Sequence, residues 1–116
     1  YLFASLDGIS KIGTYSGTGN NIDVNCGFSA GARFVMIKRT DTEISGTNGS
    51  HWYIWDTTNG IVSGNDPYWK ASDFVASVTN TDYIDPLNAG FTVTSSASAN
   101  TGINASGGTY MFFAIA

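Results

Sequence analysis

One cysteine, one histidine, two prolines and one glutamate are all that this chain of 116 residues holds of four residue types with distinct uses. A lone Cys26 cannot close an internal disulfide, and a single His51 leaves no His/Cys set for zinc. Cys26 follows the alternation of Ile22 and Val24 and precedes Phe28, so it reads as a small buried hydrophobe, not a reactive thiol. Charge is also scarce. Only 12% of residues are charged, the net charge is −4, and five bases serve the whole chain. Binding a phosphate backbone needs clustered Lys and Arg, so nucleic acid is excluded as a partner. No apolar run approaches the roughly 20 residues of a membrane-spanning helix, and nothing at the start resembles a signal peptide. Membrane insertion is therefore not expected. The first residue is Tyr1, not Met, which points to a piece of a longer polypeptide.

Helix-building stock is missing as well. Eight of the nine acids are Asp, a turn former, and Glu43 is the only Glu. Fourteen Gly, with abundant Thr, Ser and Asn, take the place of Ala-Leu-Glu-Lys runs. That composition predicts many short strands joined by tight turns. The length suits one domain with its own core. The expected fold is all-β, with little or no helix.

What is present is organised around residues 32–39, Ala-Arg-Phe-Val-Met-Ile-Lys-Arg, and a return strand, His51-Trp52-Tyr53-Ile54-Trp55-Asp56. Side chains alternate along a strand, so Phe34 and Met36 face one way and Val35 and Ile37 the other. Both faces are apolar, which predicts burial on both sides. Around this pair, residues 1–6 read as an opening strand and 9–15 as a half-exposed one. Residues 17–20 should close a hairpin into a strand with Ile22, Val24 and Cys26 inward. Residues 40–50 read as a polar surface loop, 61–63 as a brief strand, and Tyr68-Trp69-Lys70 as a short edge segment. The stretch 71–78 fits a helical turn or a strand equally. Phe91 and Val93 should point inward, 95–108 is loop-like apart from Ile103, and 109–115 is a closing strand with two apolar faces. Tyr1-Leu2-Phe3-Ala4 resembles the closing strand, either as the tail of a preceding repeat or by chance. Residues 1–8 are accordingly assigned to a strand or linker from a preceding domain, and 9–116 to the sandwich.

Chemistry is harder to find. Paired carboxylates for glycoside hydrolysis would come from Asp56, Asp66, Asp82 or Asp85, but Asp at turns usually serves its own backbone. There is no Gly-x-Ser-x-Gly elbow, and Gly17-Thr18-Gly19 lacks the Lys and following helix of a phosphate loop. The Asp-rich turns lack the twelve-residue calcium-loop pattern. No catalytic residue, metal or cofactor is expected. Aromatic rings remain, because a ring face can stack on a sugar. Tyr68 and Trp69, beside Asn65 and Asp66 and with His51 nearby, form the candidate ligand-binding set, although a core or subunit contact is the plainer use of such rings.

Several stretches together resemble a domain of tailed-phage virion proteins. They include residues 11–17 (Lys-Ile-Gly-Thr-Tyr-Ser-Gly), Cys26-Gly27-Phe28, 31–40, Trp52-Tyr53-Ile54-Trp55-Asp56, 60–68, 78–86 and 107–116. The likeness covers nearly the whole chain. In that family, common in marine phages and prophages, such domains lie near the end of tail-fibre or other structural proteins, often beside a concanavalin-like lectin domain. The resemblance implies a non-enzymatic, antiparallel two-sheet β-sandwich of jelly-roll type on the outside of a virion, in a fibre, appendage or capsid decoration. Its partners would be other copies of itself, with a trimer implied by analogy, and other virion proteins. A host surface receptor or glycan is a further partner. Residues 41–50 are longer than the family's link, and the sequence around Trp69-Lys70-Ala71-Ser72 departs from its pattern. The rival is a secreted carbohydrate-binding module attached to a larger enzyme or surface protein.

Overall fold

The computed structural model describes residues 3–42, 51–71, 76–100 and 102–116. Strands form where β-branched and aromatic residues alternate with polar ones, and turns where Gly, Asn and Asp gather. In chain order the strands are β1 (Ser10–Ser16), β2 (Ile22–Asn25), β3 (Phe34–Arg39), β4 (Tyr53–Asp56), β5 (Trp69–Lys70), β6 (Ile84–Leu87), β7 (Gly90–Val93) and β8 (Thr109–Ile115). A 3-10 helix, Ser95–Asn100, follows β7. One sheet has the order β1-β8-β3-β4-β5 and the other β2-β7-β6, with every pair antiparallel. The chain is an all-β, two-sheet antiparallel sandwich. First strand pairs with last and second with second-last, the nesting of a jelly roll. β4 departs from that scheme by staying beside β3.

The core lies between the sheets. Val35, Ile37, Tyr53, Trp55, Tyr110 and Ala114 from the larger sheet, with Ile84, Phe91 and Val93 from the smaller, are essentially closed to solvent. Phe91 and Phe112 meet across the gap edge to face, with centroids 5.5 Å apart. Tyr15 stacks on Tyr110 at 5.1 Å. Offset and edge-on ring pairs add a little to the burial of so much aromatic surface.

The hairpin expected at residues 17–20 does not form. β1 pairs with β8 and β2 with β7, so this segment carries the chain from one sheet to the other. Asn104, fully buried, holds the crossing. Its Oδ1 accepts the N–H groups of Thr18 (3.0 Å) and Gly19 (3.2 Å). Its Nδ2 donates to the carbonyls of Asn20 and Thr94, each at 2.8 Å. A side chain meets here the backbone groups that a hairpin ladder would have satisfied.

Other expectations need correction. Within the opening segment, Leu6 makes a single bridge to Ser10 and residues 3–5 are not a strand; Tyr1 and Leu2 lie outside the described residues. Residues 61–63 form no strand, although Ile61 is buried. Of the polar loop, 43–50 lie outside the described residues, as do 72–75 of the ambiguous stretch. The central pair β3–β4 is buried on one face only. Phe34, Met36, Ile54 and Trp52 on the other face are half-buried, because the second sheet covers a single side.

Candidate functional site

The five residues singled out from the sequence do not come together. Asn65 sits on an exposed turn, where its Oδ1 accepts the N–H of Asn80 at 3.0 Å. Asp66 and Tyr68, expected on an exposed segment, are in the core at 0% and 3% exposure. Tyr68 N–H and C=O pair with Val78, which turns its ring onto Tyr53 (5.3 Å), Trp55 (5.6 Å) and Tyr83 (5.4 Å). Trp69 is the next residue along the strand and must point the opposite way. It pairs with Ile54 on the outer face. His51 is half-buried, edge-on to Tyr53 at 6.2 Å. No exposed Tyr68–Trp69 platform exists.

Asp66 is a structural carboxylate. Its Oδ2 accepts the N–H groups of Tyr83 (3.1 Å) and Ile84 (3.2 Å), joining the turn before β5 to the start of β6. Burial pushes its pKa up to about 7, against the pull of those two backbone donors. Its Oδ1 and the Trp55 Nε1 are both buried and neither completes a hydrogen bond. Asp82 and Asp85 each leave a buried Oδ1 without a hydrogen-bond partner, whereas Asp56 and Asp23 serve a turn and a strand pair. Asp56 Oδ1 accepts from the backbone and side chain of Asn59, both at 2.9 Å, and Asp23 Oδ1 accepts the Thr92 hydroxyl at 2.7 Å. Among the described residues no three His, Cys, Asp or Glu side chains cluster as metal ligands. Cys26 is 5% exposed and burial lifts its thiol pKa to about 11, so it packs as the small hydrophobe its position predicts.

The two outer faces of the sandwich differ in character. On the smaller sheet Asp23, Thr92 and Asp85 stand in register, a polar row. On the larger sheet one register row crosses all five strands as Ile12, Phe113, Met36, Ile54 and Trp69. All five are half-buried. Phe3, itself 54% exposed, lays its ring 4.7 Å from Phe113, and Phe34 meets Phe113 edge-on at 6.2 Å. A continuous apolar row of this kind is uncommon on a face meant for water.

At one end of that face lies a cleft of about 460 Å³ lined by Lys38, Arg39, Thr40, Asp41, Thr42, Trp52 and Met111. Lys38 Nζ sits 5.6 Å from the centre of the Trp52 ring. Arg39 turns the other way, over Tyr110 at 5.7 Å, and grips Asp41 with Nε at 2.8 Å and Nη2 at 3.1 Å. Asp41 Oδ1 also accepts the Thr109 N–H at 3.1 Å. The Arg39 fork and that backbone donor hold the Asp41 carboxyl well below its ordinary pKa. No local pattern marks this cleft in the sequence, since it joins the end of β3 to the approach of β4 and to β8.

The whole chain, residues 1–116, matches the model of a domain of unknown function, DUF7483. The chain belongs to this family. No curated protein and no solved structure matches the chain. Among its described residues this DUF7483 domain carries an apolar row on the outer face of the five-stranded sheet and a cleft at the end of that face.

Proposed function

We propose that this domain is a non-enzymatic structural module of a phage virion, in a tail fibre, appendage or capsid decoration, and that it assembles with copies of itself. The observation that carries the assembly is the row Ile12, Phe113, Met36, Ile54 and Trp69 on the outer face of the five-stranded sheet. Apolar rows are self-complementary without charge matching, and symmetric contacts between identical faces are the usual route to a homo-oligomer. The virion setting rests on the resemblance of nearly the whole sequence to tailed-phage virion domains. A virion surface location and contacts with other virion proteins belong to the same reading.

Light scattering coupled to size exclusion tests it. The domain should run as an oligomer, with three copies as the expected number. Ile54→Lys and Met36→Glu should release monomers with an unchanged far-ultraviolet circular dichroism spectrum. A wild-type domain that stays monomeric at high concentration overturns the assembly reading. The second reading, a carbohydrate-binding module attached to a larger protein, is favoured by the Trp52 cleft and would leave that monomer with saccharide affinity.

A further inference from the structure

We infer that Asn59-Gly60 is a latent site of spontaneous modification, and that Asp56 keeps it closed in the folded domain. An Asn followed by Gly is the dipeptide most prone to cyclise, because glycine puts no side chain in the way of the attacking nitrogen. The Gly60 nitrogen attacks the side-chain carbonyl carbon of Asn59 and forms a new C–N bond. The Cγ–Nδ2 bond breaks, and Nδ2 leaves as ammonia with the proton that the Gly60 nitrogen gives up. Water then opens the five-membered imide at either carbonyl, leaving aspartate or isoaspartate at position 59. Water has access, since Asn59 is exposed on the turn that follows β4.

One residue holds both reacting groups. Gly60 N–H donates to the Asp56 carbonyl at 3.0 Å, so the nucleophile keeps its proton. Asn59 Nδ2 donates to Asp56 Oδ1 at 2.9 Å, and the same oxygen accepts the Asn59 N–H at 2.9 Å. The leaving group is thereby tied to Asp56 and not turned over the Gly60 amide. Asp56 is itself fixed, because it ends β4 opposite Phe34 and the next N–H, of Thr57, donates to the Arg33 carbonyl at 3.0 Å. Cyclisation waits until these bonds open. Two hydrogen bonds of ordinary net strength slow it roughly ten- to a hundredfold relative to the open chain.

The product does not rebuild the turn. Aspartate at position 59 sets a carboxylate oxygen where the Nδ2 donor met Asp56 Oδ1, and like charges repel there. Isoaspartate also lengthens the backbone inside the loop that the Gly60 N–H closes. Loss of ammonia makes the change one-way, and the loosened turn leads directly into Ile61, which is buried. The site does not depend on the assembly reading, so either can fail alone.

The experiment is peptide mapping by mass spectrometry of the whole chain aged at mildly alkaline pH, folded and in urea. Rates are read against Asn48-Gly49, the other Asn-Gly step of the sequence. Position 59 should convert from Asn to Asp or isoaspartate at least about tenfold more slowly in the folded chain than in urea. Asp56→Ala should bring the folded rate to within about threefold of the urea rate. Asp56→Asn, which keeps an acceptor oxygen in place, should stay slow. That rescue separates the hydrogen bonds from the charge, and it keeps the test decisive even where Asp56→Ala fails to fold. Equal rates at position 59 in folded and urea-unfolded wild type overturn the inference. So does a folded Asp56→Ala that stays as slow as wild type, or a folded Asp56→Asn that converts as fast as the chain in urea.

Discussion

The carboxylate of Asp66 accepts the backbone N–H of Tyr83 at 3.1 Å, tying the approach to β5, an edge strand of the larger sheet, to the residue just before β6, an edge strand of the smaller one. Folded Asp66 keeps its proton to about pH 7, against an ordinary value of 3.8. Between those values the folded state binds more protons than the unfolded one, so this group's contribution to stability falls as pH rises. It is complete below the ordinary value and lost once pH passes the folded one. Thermal unfolding followed from pH 4.5 to pH 8 should show that decline, of the order of a few kcal/mol. Asp66→Asn should flatten it. A wild-type profile that rises across this window contradicts the assignment.

Asn104 is the second structural pin. Asn104→Ala leaves the N–H groups of Thr18 and Gly19 and the carbonyls of Asn20 and Thr94 without their side-chain partner. Stranded polar groups of this kind cost about 1–3 kcal/mol each when water cannot reach them. Urea denaturation should show a loss of about 2–4 kcal/mol, since part of this crossing is solvated. A loss below about 0.5 kcal/mol would show that the crossing does not depend on this side chain.

Two glycines should respond very differently to alanine. A Cβ at Gly90 would sit 2.1 Å from the carbonyl oxygen of Val24, inside the β2–β7 ladder. Gly90→Ala must push the strands apart and should prevent cooperative folding. Gly107 has φ near +78° but open space around its Cβ position. Its alanine variant should fold normally and lose only about 1 kcal/mol to the left-handed backbone. Thermal melts of the two variants side by side make the comparison.

Cys26 should be inert in the native domain. At 5% exposure and with its pKa lifted to about 11, it presents little thiolate at pH 8. A chromogenic disulfide reagent should react with it at full rate in denaturant and at least a hundredfold more slowly without. Fast native labelling would mean that β2 opens readily.

Much of the fold was legible because strand alternation is local. The pattern of Val24 and Cys26 and of Phe91 and Val93 marks the inner face without knowledge of any partner strand, whereas in β3 and β4 both alternating sets are apolar and the inner one, Val35, Ile37, Tyr53 and Trp55, was not distinguishable. Partner choice was not legible in the same way. Nothing near residues 17–20 reveals that β1 belongs with β8, ninety-odd positions away by register from Ser16 to Thr109. Asn104 went unnoticed, although Ile103, the one large apolar residue in its polar stretch, already marked where that loop enters the core.

Composition and period-two alternation alone settled that this chain builds strands, and, where polar and apolar residues alternate as in 22–26 and 91–94, which side chains turn inward. Both follow from the chemistry of adjacent residues. Only the tertiary structure decided that Asp66 and Tyr68 are enclosed, that one sheet keeps an apolar back, and that Lys38, Asp41, Trp52 and Met111 share a cleft. Those outcomes depend on which distant strands lie side by side, and no short stretch of sequence carries that information.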